Sequence, residues 1–425
     1  ATSGTIFIDG GCGGLRFDYT AAGHTQVVRV PQLATLTIEA GGSVTALAWD
    51  GRVGGVAAVV ADSISATGDL DVSGKGFRGG GADNTSSAPI GTEVAGYRST
   101  QPALGAEKGE GIAGAAADYQ ATAGGRYGRG AAANGGGGGN AHNAGGGGGA
   151  GGSNGQPYSG QGVMEAAAVG AAQAWPLDPE YVAAGNKLTN SSGGGRGGYS
   201  ASTASRDPQV TAPGDAMWSG NQRRERGGRG GRPLLAGLGD RLFMGGGGGA
   251  GDGNNSASSS GGSGGGVLFV LARSLTGAGK LLADGAAGGD TKGSNDDAAS
   301  GGGGGGTIVL AAQTASGVAL SAAGGRGGKQ GALVSATEAE GPGGGGGGGL
   351  LVLPTGVNLT SSVAGGPAGT SDATVVKAKF PVNGATAGGG GQVLTSALLQ
   401  AVGEGGAVPG VLCVGSAADV AVSIS

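Results

Sequence analysis

The chain has 425 residues, of which 109 are glycine and only 13% are charged. Average glycine usage is about 7%, so this is not an ordinary enzyme composition, and glycine at this level without a G-X-Y period usually marks a low-complexity chain. Hydrophobic residues at 38% are too many for a charge-rich disordered chain, and a formal net charge of -4 gives no basic footprint for a phosphate backbone, so nucleic acid is not an expected partner.

No apolar stretch approaches the roughly 18 residues needed to span a bilayer, the longest being Val267 to Ala272. No membrane span is expected. The chain begins at Ala1 without a charged-then-apolar leader, which fits a secreted chain after signal-peptide removal and fits equally a boundary set for other reasons. Two cysteines, Cys12 and Cys413, lie near the two ends, and an even pair is compatible with one disulfide, within or between chains, in an oxidising compartment.

Residues 1 to 80 read as an N-terminal β region of short strands. Ile6 and Ile8, Val28 and Val30, Leu36 and Ile38, then Ile64, Leu70 and Val72 fall at period two, with glycines punctuating the segments. Residues 81 to 263 lose that pattern to glycine, alanine, serine and asparagine, and hold pentaglycine at Gly135 to Gly139, Gly145 to Gly149 and Gly245 to Gly249. This region reads as irregular, with tyrosines and tryptophans available to cover glycine surface. One short helix is expected from Val163 to Ala174, ended by Trp175-Pro176.

Residues 264 to 369 carry the clearest repeat. Segments beginning at Gly264, Gly304 and Gly347 each run from glycines into an apolar strand, a polar turn, a second strand and another glycine patch, and the segment from Gly54 follows the same plan. Recurrence of about 40 residues marks supersecondary units that bury a face only against their neighbours. Residues 370 to 425 return to β patterning at Val375, Val376 and Phe380, at Val393 and Leu394, and at Val420, Val422 and Ile424, with a helical turn near Ser396 to Gln400. With no 12-residue amphipathic helix between strands, the expected fold is all-β: a β-solenoid or sandwich-like stack with ordered, layered polyglycine segments.

Glycine loses more backbone entropy on ordering than any other residue, so a fixed run needs a reward for having no side chains. Gly301 to Gly306 and Gly343 to Gly349 are read as extended threefold segments packed backbone to backbone, which buries Gly301, Gly304, Gly306, Gly343, Gly346 and Gly349. The rival reading makes them long loops across a β-core.

Chemistry is sparse. GxGxxG occurs as often as glycine frequency alone dictates, and no Gly-Lys pair is followed by the Ser or Thr of a phosphate loop. Ser263 formally fits a nucleophile elbow but sits in a serine-glycine tract. His24 and His142 are the only histidines, and each reads as a surface or hydrogen-bonded side chain. Asp83, Asp252, Asp290, Asp296 and Asp297 lie in oxygen-rich loops of the kind calcium accepts, but no calcium repeat is present and they read as turn residues; no other cofactor is expected. Arg223, Arg224, Arg226, Arg229 and Arg232 look like an RGG tract, which in an acidic chain reads as a structural cluster. Sequons stand at Asn84, Asn190, Asn254 and Asn358.

The string from Gly41 to Gly81, followed by the GxGEG-like text at Gly105 to Gly111 and the glycine-plus-strand repeats, resembles glycine-rich, adhesin-like surface proteins of bacteria. That resemblance covers about residues 30 to 370 and implies secretion and a surface role. A second resemblance, to phage tail-fibre adhesins with packed polyglycine helices, rests on the glycine runs alone. The expected protein is a non-enzymatic, extracellular structural subunit that assembles with itself into a filament, sheath or surface adhesin. Its assembly strands would be Thr5, Ile6, Phe7 and Ile8 at one end and Val420, Val422 and Ile424 at the other. The alternatives are a phage-type adhesin binding a cell-surface or carbohydrate receptor, and a carbohydrate-active β-helix enzyme, which would need paired carboxylates in one groove.

Overall fold

In this computed structural model the described residues are 25–85, 98–114, 117, 120, 125–131, 133–151, 193–200, 227–228, 230–231, 242–293, 297–331, 339–373 and 381–399. The apolar runs identified in the repeats become strands. In chain order these are β1 (Gln32–Ile38), β2 (Ser43–Thr45), β3 (Val56–Ala66), β4 (Asp69–Asp71), β5 (Val267–Gly277), β6 (Lys280–Leu282), β7 (Thr307–Ser316), β8 (Ala319–Ser321), β9 (Leu350–Pro354), β10 (Thr360–Ser362) and β11 (Gln392–Ser396).

Each repeat gives one long strand and one short one, and the two kinds sort into separate sheets. The long strands form a six-stranded sheet in the order β1-β3-β5-β7-β9-β11, and the short ones a five-stranded sheet in the order β10-β8-β6-β4-β2. Every pairing in both sheets is parallel. The expected all-β solenoid or sandwich-like stack is therefore corrected: the strands lie in two open, all-parallel sheets, the arrangement of α/β folds, and the chain does not close into a solenoid. Among the described residues the helices that usually make such crossovers are replaced by a tight turn, a short strand and a glycine segment.

Strand β3 shows why this path is stable. Its residues Ala57, Val59, Ala61, Ile64 and Ala66 join Leu70 of β4 in one buried cluster, which continues through Leu268, Val270 and Leu275 of β5, Leu281 of β6, Ile308 and Leu310 of β7, and Leu320 of β8. Both sheets thus contribute to one core, and full burial of each such Leu or Ile is worth about 1.5–3 kcal/mol. The opposite face of the long sheet has its own apolar patch of Ala311, Leu350 and Val352, covered by Leu399 from the helical turn at Ala397–Leu399. Val28 and Val30, expected in a strand, lie in the irregular segment before β1.

In β3 the inward positions switch from odd numbers to even ones after Ala61. The ladder skips Asp62, Arg273 and Gln313 in register, pairing Ala61 with Ala272 and Ala312, then Ser63 with Ser274 and Thr314. Ala34 of β1 is skipped at the same level, so four adjacent strands bulge there, which re-aims the side chains beyond it.

Candidate functional site

The long sheet does not end where its apolar residues end. Thr307 donates its amide to Gly266, Leu350 to Gly306 and Gln392 to Gly349, so the ladder passes from side-chain-bearing strands into glycine runs without changing partners. There the pairing rotates. Gly301 and Gly304 donate to Gly249 and Gly246, Gly302 and Gly305 to Gly344 and Gly347, and Gly303 and Gly306 to Ala286 and Ala283, all at 2.7–2.9 Å. Each third residue meets the same neighbour, which is the geometry of a threefold extended helix with three residues per turn.

The carbonyls complete the pattern. Gly301 and Gly304 accept from Gly262 and Gly265, Gly302 from Gly149, and Gly303 from Gly325, so one run donates to three segments and accepts from three others. The run at 343–349 repeats this: Gly343, Gly346 and Gly349 donate to Gly328, Gly325 and Ala322, while Gly344 and Gly347 donate to Gly146 and Gly149. Gly245 to Gly249 does likewise, its successive amides reaching Gly265, Ala150, Glu110, Gly262 and Gly147. The described glycine runs at 135–139, 145–149 and 245–249 carry no strand, yet they are as regularly bonded as the strands themselves.

All of Gly301 to Gly306 and Gly343 to Gly349 are buried. Fixing a backbone costs about 1–2 kcal/mol per residue, whereas a hydrogen bond returns a net 0.5–1.5 kcal/mol, so bonding alone leaves the lattice near balance. Close approach supplies the rest. A Cβ on Gly346 would lie 1.9 Å from the carbonyl oxygen of Gly303, and one on Gly306 1.9 Å from that of Gly266. Such distances exist only where no side chain intervenes, and they bring backbone atoms into dispersion contact on every side.

Charged residues inside this lattice are the feature that sequence reading missed. Lys108, Glu110 and Arg129 are all buried. Lys108 donates its ammonium to the carbonyl of Gly130, and burial pushes its pKa down to about 7, assisted by the charge of Arg98. Glu110 holds Arg78 in a two-point ion pair, which raises the pKa of the guanidinium chiefly through that side-chain bond. Arg129 donates to Gly197 and stacks 5.2 Å from the ring centre of the fully buried Tyr199. The only signal for them was the presence of charge inside a glycine tract, as in the AEKGEG text at 106–111.

The aspartates expected in turns act as backbone anchors. Asp297 is fully buried, and its carboxylate accepts amides from Asn254, Asn255, Ala257 and Ser258. Asp252 accepts from Asn143, Asp83 from Thr85, and Asp290 pairs with Arg326. His142 meets Asn254 at 2.8 Å. Among the described residues no cluster of three or more His, Cys, Asp or Glu is placed to hold a metal ion. Ser263 lies in the glycine segment that leads into β5, and its carbonyl accepts the amide of Ala286, so no strand-to-helix elbow surrounds it.

Cys12, Cys413, Thr5 to Ile8, Val420 to Ile424, Val375, Val376, Phe380, His24, Asp296, Asn190, the Val163 to Ala174 segment and the arginines Arg223, Arg224, Arg226, Arg229 and Arg232 lie outside the described residues. Among the described residues no helix is long and apolar enough to cross a membrane. Compared with protein-family models, with curated proteins and with solved structures, the chain matches none.

Proposed function

We propose that this chain is an extracellular structural subunit that associates with copies of itself into a filament, sheath or surface adhesin. The observation that carries the reading is the threefold glycine lattice: a segment such as Gly301 to Gly306, bonded to six neighbours, forms a rigid body that presents sheet edges and turns. Strands β1 and β2 end the two sheets on one side, and β11 and β10 end them on the other. Among the described residues no strand pairs beyond these, and parallel sheets that end in this way suit head-to-tail addition, because the last strand of one copy meets the first strand of the next in the same direction.

The glycine packing also favours a second reading, a phage-type adhesin in which the lattice is a stalk for receptor-binding turns. Electron microscopy and light scattering of the purified chain over a range of concentrations separate the two. Filaments that lengthen with concentration are expected. A chain that stays monomeric at every concentration but binds cells would overturn self-assembly and support the second reading.

A further inference from the structure

The long sheet carries a second regularity on the side facing away from the core. Beyond the shared bulge, the outward positions of four adjacent strands are all hydroxyl residues. One file runs Thr35, Ser63, Ser274, Thr314 across β1, β3, β5 and β7. The next file, two residues further along each strand, runs Thr37, Ser65, Thr276, Ser316. Between the files Leu36, Ile64 and Leu275 turn into the core, which fixes the hydroxyls outward.

Ser63 and Ser274 are half-buried and the other members of the grid are exposed. Ser63 donates to Thr35 at 3.3 Å, and among the described residues no hydrogen bond engages the remaining six side-chain hydroxyls. The grid contains no charge and no aromatic ring; the charged residues Asp62 and Arg273 stand in the bulge row beside it. Its dimensions follow from sheet geometry: about 4.7–4.9 Å between strands and about 6.6 Å along them.

Hydroxyls that the protein leaves unbonded hold first-shell water. On a mobile surface that water is disordered, but these hydroxyls are fixed to strands continuous with the glycine lattice. Water bound to them therefore repeats in two dimensions with the sheet. A ligand that complements such a grid must itself be periodic in two dimensions and present oxygen at similar spacings. A single saccharide is not periodic, and a crystalline polysaccharide surface is gripped by aromatic platforms that the grid lacks.

We propose that the Thr35–Ser316 hydroxyl grid is an ice-binding face. Water ordered on the two files becomes part of the outermost layer of the crystal, and the threonine methyl groups beside the hydroxyls shed their hydration as the faces join. The proposal stands apart from self-assembly, since a monomer carries the whole grid.

The test is partition of the fluorescently labelled full chain into a slowly growing ice hemisphere, with serum albumin as the excluded reference. The wild-type chain should enter ice well above the reference and shape crystals in a nanolitre osmometer. Ser65→Tyr with Thr276→Tyr, placed at the centre of the grid, should reduce incorporation to the reference level. Thr360→Tyr on β10 of the other sheet should leave it unchanged, and circular dichroism should report the same fold for all. Exclusion of the wild-type chain from ice overturns the proposal outright. So does undiminished incorporation of the double variant. If that variant unfolds, the milder Thr37→Val with Thr314→Lys replaces it.

Discussion

A methyl group added to Gly304 would lie 2.3 Å from the carbonyl carbon of Ala150, in a run whose every residue is buried. The two residues belong to neighbouring segments of the glycine lattice, and the contact is backbone against backbone, so no side chain can rotate away to make room. Gly304→Ala is therefore expected to cost at least ~3 kcal/mol and Gly304→Val more, against about 0.5 kcal/mol for an ordinary surface change. Gly390 supplies the contrast within another run: a Cβ there meets nothing closer than 3.9 Å, and its backbone is not left-handed. Gly390→Ala should be neutral or stabilise by up to ~1 kcal/mol through the unfolded chain. Thermal melts of the two alanine variants side by side check both values, and equal melting temperatures would contradict the lattice.

Lys108 makes stability depend on pH. Its folded pKa is pushed down to about 7 by burial, below the ordinary lysine value of 10.5. Between those values the unfolded chain binds a proton that the folded chain releases, so stability rises with pH across this window and levels off above it. Below pH 7 both states are protonated and the full penalty of burying the charge is present. Chemical denaturation from pH 6 to 10 should show this rise in the wild-type chain. Lys108→Met should be the more stable protein at pH 6 and lose most of the slope, and an unchanged slope would assign the effect to other groups.

The places where strands begin could be read from the sequence. The segments at Gly54, Gly264, Gly304 and Gly347 lead into β3 at Val56, β5 at Val267, β7 at Thr307 and β9 at Leu350. Their direction could not be read from period two, which is the same for parallel and antiparallel neighbours. A usable sign was present: VLFVLA and IVLAA are unbroken apolar runs, as parallel strands buried on both faces require, rather than the alternation of a sandwich. The crossover path, by contrast, had no periodic side-chain signal, because the segments that return the chain are dominated by glycine and alanine. The same blankness hid the buried Lys108, Glu110 and Arg129, whose partners, the Gly130 carbonyl, Arg78 and the Gly197 carbonyl with the Tyr199 ring, lie 22 to 70 residues away in the chain.

Asp297 anchors a loop that carries little apolar burial. Its two carboxylate oxygens take amides from Asn254, Asn255, Ala257 and Ser258, and hydrogen bonds to a charged group contribute about 1.5–3 kcal/mol each. Asp297→Ala leaves those donors unpaired and should lower stability by at least ~2 kcal/mol. The carboxylate is engaged by the protein's own amides, so calcium or a chelator should leave the melting temperature of the wild-type chain unchanged. A rise on adding calcium would show that the aspartate loops hold the ion instead.

The edge at β11 offers a test of assembly that spares the fold. Gln392 donates to Gly349 and the carbonyl of Ser396 accepts from Thr355, so the even-numbered residues of β11 turn their backbone groups toward β9. In a parallel strand the intervening residues, Val393 and Thr395, then turn theirs to the side away from β9. Proline lacks the amide and is tolerated on edge strands when the missing donor faces outward. Thr395→Pro should therefore keep the β9 ladder and a near-wild-type melting temperature while removing one donor that an incoming β1 strand needs. Leu394→Pro, one residue away, should instead break a bond to β9 and destabilise the subunit. If head-to-tail pairing joins the copies, light scattering should show wild-type filaments, folded and unassembled Thr395→Pro, and restored assembly in Thr395→Val. Filaments of unchanged length from a folded Thr395→Pro chain would place the joint away from β11.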